Sequence, residues 1–163
     1  MDLESFVEKR LAADLRKAEK PEIMLLTCMD YRYAHRIVDV MDRRGLRLKY
    51  DIFVLAGASL GANTSSDWRE AFFSHIVTAR TVGHPIKKVF ILEHRDCGAY
   101  EHILGLKWSE VLPGQELEAH REQVEKLIID LKQKFPDLTV DSVLLARDED
   151  DDLHVESHGT DPV

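Results

Sequence analysis

Short apolar runs separated by amphipathic stretches set the tightest limit on what this chain can fold into. The first, residues 23–27, is too short for a helix, has a β-branched character and follows Pro21. Residues 50–55, 88–93 and 139–146 form three more runs of strand length. Between them the periodicity turns helical. Residues 34–43 place Ile37, Val38 and Met41 inward, with Gly45 as the stop. A second helix, capped by Ser66 or Asp67, runs to about Val82 before Gly83 and Pro85. Residues 98–104 suit a short helix, and residues 105–114 read as a loop. Leu117, His120, Val124, Leu127, Ile128, Leu131 and Phe135 then mark a long amphipathic helix. Strands alternating with helices predict an α/β fold, a mostly parallel four-stranded sheet flanked by helices. Leu153-His154-Val155, after an acidic turn at 148–152, adds an antiparallel fifth edge strand.

The 163 residues suffice for one domain, with no linker or repeat. Leu3, Phe6, Val7, Leu11 and Leu15 give residues 2–20 the stripe of a leading amphipathic helix, suited to packing on a partner subunit. Residues 156–163 read as a polar tail. The net charge is −8, yet seven acids and no Lys or Arg fall in residues 148–163, so the main body is close to neutral. That body lacks the basic footprint of a nucleic-acid binder. No apolar stretch approaches the roughly 20 residues of a membrane span. The start Met1-Asp2-Leu3-Glu4 has no basic, apolar leader, and two distant cysteines are no disulfide framework. The expected compartment is the cytoplasm.

Cys28-Met29-Asp30-Tyr31-Arg32 ends the first run, and His94-Arg95-Asp96-Cys97-Gly98 follows the third. Both cysteines of the chain lie in these two segments. In parallel sheets, sites form beyond the C-terminal ends of strands, where both segments fall. Two thiolates and an imidazole are strong zinc ligands, and three protein ligands leave one coordination position open for water. Zinc brings the pKa of such a water to roughly 7. Asp30 and Arg32, two residues apart, point the same way in an extended segment and can pair. Asp30 then either accepts a hydrogen bond from the zinc-bound hydroxide or swings onto the zinc and closes the open position. Taken singly, each residue has a plainer reading: a small buried thiol, a hydrogen-bonded histidine, a surface ion pair. Taken together they converge on one site.

Cys28-x-Asp30-x-Arg32 followed by His94-x-x-Cys97-Gly98 resembles the β-class carbonic anhydrase family, over about residues 20–150. The resemblance implies a zinc-dependent α/β enzyme built on homodimers or assemblies of dimers. It implies Cys28, His94 and Cys97 as zinc ligands and Asp30 with Arg32 as the catalytic dyad. The implied reaction is the reversible hydration of carbon dioxide to bicarbonate and a proton. Where many members carry an Arg-Asn-Ala-Gly-Asn type segment, this chain has Val54-Leu55-Ala56-Gly57-Ala58-Ser59, and Tyr31 replaces a small residue. Both departures fall near the expected substrate pocket, assigned to Gly57, Ala58, Ser59 and Gly98. Relatives of this fold hydrolyse carbonyl sulfide or carbon disulfide, so those substrates stand as an alternative. A zinc-binding protein of this fold without turnover is another.

Gly57-Ala58-Ser59-Leu60-Gly61 also satisfies G-x-S-x-G after a strand, with Ser59 as a nucleophile. A nucleophile elbow turns straight into a helix, whereas Asn63-Thr64-Ser65-Ser66 here predict a delayed helix start. The preferred reading is a small-residue loop beside the metal site or a subunit interface. No dinucleotide or Walker motif is present. His154-x-x-x-His158 has helical metal spacing but lies in the polar end of the chain.

Overall fold

The computed structural model describes residues 19–147 and 153–157. The expected acidic turn, the tail beyond Ser157 and all but the end of the expected leading helix lie outside these residues. Strand β1 (Ile23–Cys28) is buried along its whole length, and β3 (Lys88–His94) is buried from its second residue on. Strands covered on both faces read as continuous apolar runs, which is how these two appear in the sequence. β2 (Tyr50–Leu55), β4 (Thr139–Arg147) and β5 (Leu153–Ser157) complete one five-stranded sheet in the order β2-β1-β3-β4-β5. The first four strands run parallel and β5 pairs antiparallel to β4, as expected.

Helices cover both faces. On one, α1 (Ala34–Arg43) buries Ile37 and Met41 against Leu25, Phe90 and Leu92. Val38 does not join them and is 48% exposed, because α1 sits over β1 and β3 and its flank faces outward. On the other face, α2 (Ser59–Thr64), α3 (Ser66–Thr81) and α5 (Pro113–Lys134) pack Ala62, Phe72, Ile76, Val124, Leu127 and Leu131 onto Met24, Leu26, Val89 and Ile91. A fully buried leucine contributes roughly 1.5–3 kcal/mol to such a core. α4 (Gly98–Leu104) lies at the C-terminal edge of the sheet, where Tyr100 packs with Cys28, Leu60 and Cys97.

Three local expectations change. Ser65, not Ser66 or Asp67, caps α3, accepting from the Trp68 N–H at 3.3 Å. A six-residue helix begins at Ser59 rather than being delayed; Leu60 anchors it in the core, and the Asn63 side chain holds Gln123. The expected loop 105–114 contains a 3₁₀ turn at Trp108–Glu110, and α5 begins at Pro113. There the Gln115 side chain accepts from the Leu112 N–H at 2.9 Å.

Candidate metal centre

β1 and β3 are neighbours at the centre of the sheet, so their C-terminal ends deliver Cys28 and His94 side by side. A tight turn through Asp96, at φ 55°, brings Cys97 back to them. One ligand atom from each of Cys28, His94 and Cys97 lies within 4.8 Å of the others, and all three residues are buried. The two sulfurs are 3.8 Å apart. His94 Nδ1 is 2.8 Å from the Arg95 carbonyl, which can only accept, so Nδ1 carries the proton. Nε2 is then left with its lone pair, buried and without a hydrogen-bond partner. A buried, unsatisfied ring nitrogen beside two thiols is the signature expected of a metal ligand set. The donor set fits zinc. Tyr33 stacks on the imidazole at 4.3 Å between centroids and fixes the ring plane.

The thiols are electronically prepared. A hydrogen bond from Cys97 pushes the Cys28 pKa down to about 4 against the opposing effect of burial, with further help from His94 and the Gly57 N–H. The Gly57 nitrogen is 3.3 Å from Cys28 Sγ. The same pairing, together with burial, drives Cys97 upward, so the pair favours one thiolate and one thiol. Metal ligation removes the second proton as well.

Asp30 and Arg32 stand beside this cluster. Arg32 donates to Asp30 through Nε at 3.0 Å and Nη2 at 2.6 Å, and its backbone N–H adds a third bond at 2.9 Å. Arg32 Nη2 also donates to the Asp96 carbonyl at 2.9 Å, tying the two motifs together. Hydrogen bonding to Arg32 outweighs burial and holds the Asp30 carboxyl below the usual carboxylate range. Its Oδ2 lies 3.8 Å from His94 Nε2, at the mouth of the cluster. An open cavity of about 650 Å³ rises above, lined by Cys28, Asp30, Arg32, Cys97 and Gly98 and walled by Met29, Tyr31 and Trp108. The Trp108 indole donates to the Cys97 carbonyl at 3.1 Å.

Of the expected pocket residues, Gly98 lines this cavity. Gly57, Ala58 and Ser59 do not; they are buried beneath it, where Ala56 alone of that loop reaches the opening. Ser59 is fully buried and donates its hydroxyl to Glu93 Oε1, with no histidine on its oxygen, which argues against a serine nucleophile. His154 lies in β5 and His158 outside the described residues.

Sequence reasoning passed over a second polar group under the cluster. Glu93, His120, Ser59 and Tyr100 are at most 1% exposed. Glu93 accepts from Ser59 N at 3.0 Å, His120 Nδ1 at 3.2 Å and Tyr100 Oη at 3.4 Å. Burial works to raise the Glu93 carboxyl; the bonds from His120 and Ser59 outweigh it and hold Glu93 below its ordinary value. Glu116 braces the turn that carries Cys97, accepting from Asp96 N at 2.6 Å and Arg95 Nη1 at 2.8 Å. The signal was there: Glu116, His120 and Gln123 fall on the same helical stripe as Leu127 and Leu131.

No protein-family model matches the chain. An uncharacterized protein of Rickettsia bellii is 29% identical over 136 residues, covering 82% of each chain. Another, from Rickettsia conorii, is 30% identical over 138 residues, covering 82% of this chain and 72% of its own length. The chain belongs to one family with this protein. Among solved structures, a tetrameric β-carbonic anhydrase of Sordaria macrospora aligns over 93% of this chain and 88% of its own, with a TM-score of 0.53 and 16% identity. The β-carbonic anhydrase CafA of Aspergillus fumigatus aligns over 96% and 85%, with a TM-score of 0.53 and 18% identity. The fold is that of the β-carbonic anhydrases. In this β-carbonic-anhydrase fold, the expected alternation of strands and helices and the meeting of the two motifs both appear.

Proposed function

We propose that the chain is a zinc-dependent carbonate dehydratase that interconverts carbon dioxide and water with bicarbonate and a proton. One observation carries the reading. The unpartnered, buried Nε2 of His94 faces two cysteine sulfurs, and 3.8 Å away stands an Asp30 carboxylate already held by Arg32. A purely structural site has no need of that carboxylate.

Cys28, His94 and Cys97 would hold the metal. When bound, zinc supplies Lewis acidity that makes water a nucleophile near neutral pH. Asp30, ionised and immobilised by three hydrogen bonds, offers an acceptor at the cavity floor that orients a water proton and so aims the oxygen lone pair at the substrate carbon. Arg32, occupied with Asp30 and Asp96, keeps that carboxylate from turning away. The apolar walls of Met29, Tyr31 and Trp108 suit a nonpolar substrate such as carbon dioxide and disfavour its charged product.

Hydrolysis of carbonyl sulfide or carbon disulfide is the second reading. The space of about 650 Å³ far exceeds what carbon dioxide requires, and the segment after β2 departs from the family pattern. A zinc protein without turnover is the third. We place the chain in the cytoplasm as a single-domain homodimer. Among the described residues, no helix is long and apolar enough to cross a membrane.

Metal analysis and stopped-flow hydration on one sample test the proposal. About one zinc per chain with chelator-sensitive hydration is expected. One zinc without hydration, but with release of sulfide from carbonyl sulfide, would transfer the proposal to the sulfur substrates. Absence of bound zinc, even after addition, would end it.

A further inference from the structure

We propose that Glu93 is a positioning residue of the metal centre, acting on Cys28, which shares its face of the sheet, through Ser59 and the Gly57 N–H. The inference rests on Cys28, His94 and Cys97 being the metal ligands. Glu93 immediately precedes His94, so strand alternation sends the two side chains to opposite faces. His94 faces the cluster; Glu93 faces the buried side of α5 and is 1% exposed. A carboxylate there is tolerable only if its lone pairs are filled. Ser59 N–H, Ser59 Oγ–H, Tyr100 Oη–H and His120 Nδ1–H supply four donors.

Two of the four come from Ser59, and Ser59 is one residue from a constrained turn. Ala58 adopts φ 43°, ψ −105°, a conformation that L residues rarely occupy. Gly57 has φ 69°, and a Cβ there would meet the Ala99 Cβ at 3.1 Å. Such a turn persists only when its surroundings hold it. Glu93 grips it on one side, and on the other the Gly57 N–H reaches Cys28 Sγ at 3.3 Å. A hydrogen bond to a ligating sulfur orients it and moderates its charge, so losing the grip on Ser59 releases a donor from the metal ligand. Glu93, through His120, also meets the helix whose Glu116 braces Arg95 and Asp96. One buried carboxylate thus bears on both motifs.

The test measures zinc affinity by chelator competition and the thiolate-to-cobalt charge-transfer absorption of the cobalt-loaded protein, for the parent chain, Glu93→Gln and Ser59→Ala. Glu93→Gln is expected to bind zinc about 10–100-fold more weakly, with a shifted charge-transfer band. Ser59→Ala, which keeps the backbone N–H, should change both in the same direction by less. Leu131→Ala, a core change distant from the centre, serves as a control: it should lose stability and leave both readouts in place. Should Glu93→Gln fail to fold, Ser59→Ala decides by the same criteria. A loaded parent beside folded variants with unaltered affinity and spectrum overturns this inference alone. A parent that takes up neither zinc nor cobalt overturns the metal assignment beneath it.

Discussion

Asp30 shows how a residue is confined to one task. Two guanidinium nitrogens and a backbone N–H hold it, and the pair is only part-buried, so the geometry matters more than the ion-pair energy. Asp30→Asn should therefore retain zinc while losing about 10²–10⁴ of its turnover, as removal of a positioned proton acceptor does. Metal analysis beside the hydration rate checks this; unchanged turnover would remove Asp30 from the chemistry. Arg32→Lys keeps the charge but not the planar fork, so it should retain zinc and fall between the parent and Asp30→Asn in rate. The ligands behave differently. Cys28→Ser, His94→Ala and Cys97→Ser should each lose most bound zinc, and a full complement in any of them would dismiss that residue as a ligand.

At the scale of elements, α2 and α5 do the positioning. Gly61 in α2 leaves no room for a side chain: a Cβ there would lie 2.5 Å from the Ala56 carbonyl oxygen and 3.3 Å from Trp68. Gly61→Ala should cost about 1–3 kcal/mol by overpacking, read as a lower urea midpoint with an unchanged slope. Leu127→Ala in α5 should cost about 2–5 kcal/mol, since the residue is fully buried. These elements also mark what the sequence disclosed. Strands β1 and β3 were legible because burial on both faces leaves an unbroken apolar run, and the meeting of Cys28, His94 and Cys97 because the chain's two cysteines both fall at strand ends. α2 was not, since Gly61 and small polar residues give it no helical period. The inward stripe read from the sequence omits Glu116 and Gln123 and includes His120 without a partner, because nothing local says that Arg95, Glu93 and Asn63 will meet them. Ala58 carries no mark of its unusual backbone, which its surroundings impose.

At the scale of the whole molecule, the sheet of the described residues ends in two edge strands, β2 and β5. β2 is an edge strand, and its Ile52 and Val54 are 53% and 46% exposed on the face that α1 leaves uncovered. If the proposed homodimer forms through that surface, Val54→Glu should shift the assembly toward monomer in sedimentation velocity, and an unaltered mass would place the contact elsewhere. Zinc removal by a chelator should lower the melting temperature, because a metal that binds only the folded chain adds its binding energy to folding. The parallel order β2-β1-β3 also has a consequence for how the protein is made. Synthesis runs from the N-terminus, so Cys28 emerges from the ribosome long before His94 and Cys97. A nascent chain halted before β3 offers zinc a single thiol. Residues 94–97 must emerge and β3 must pair beside β1 before the three side chains can meet, and the braces on α5 emerge later still. Under the proposed function, metal insertion is thereby deferred until the centre of the sheet is assembled.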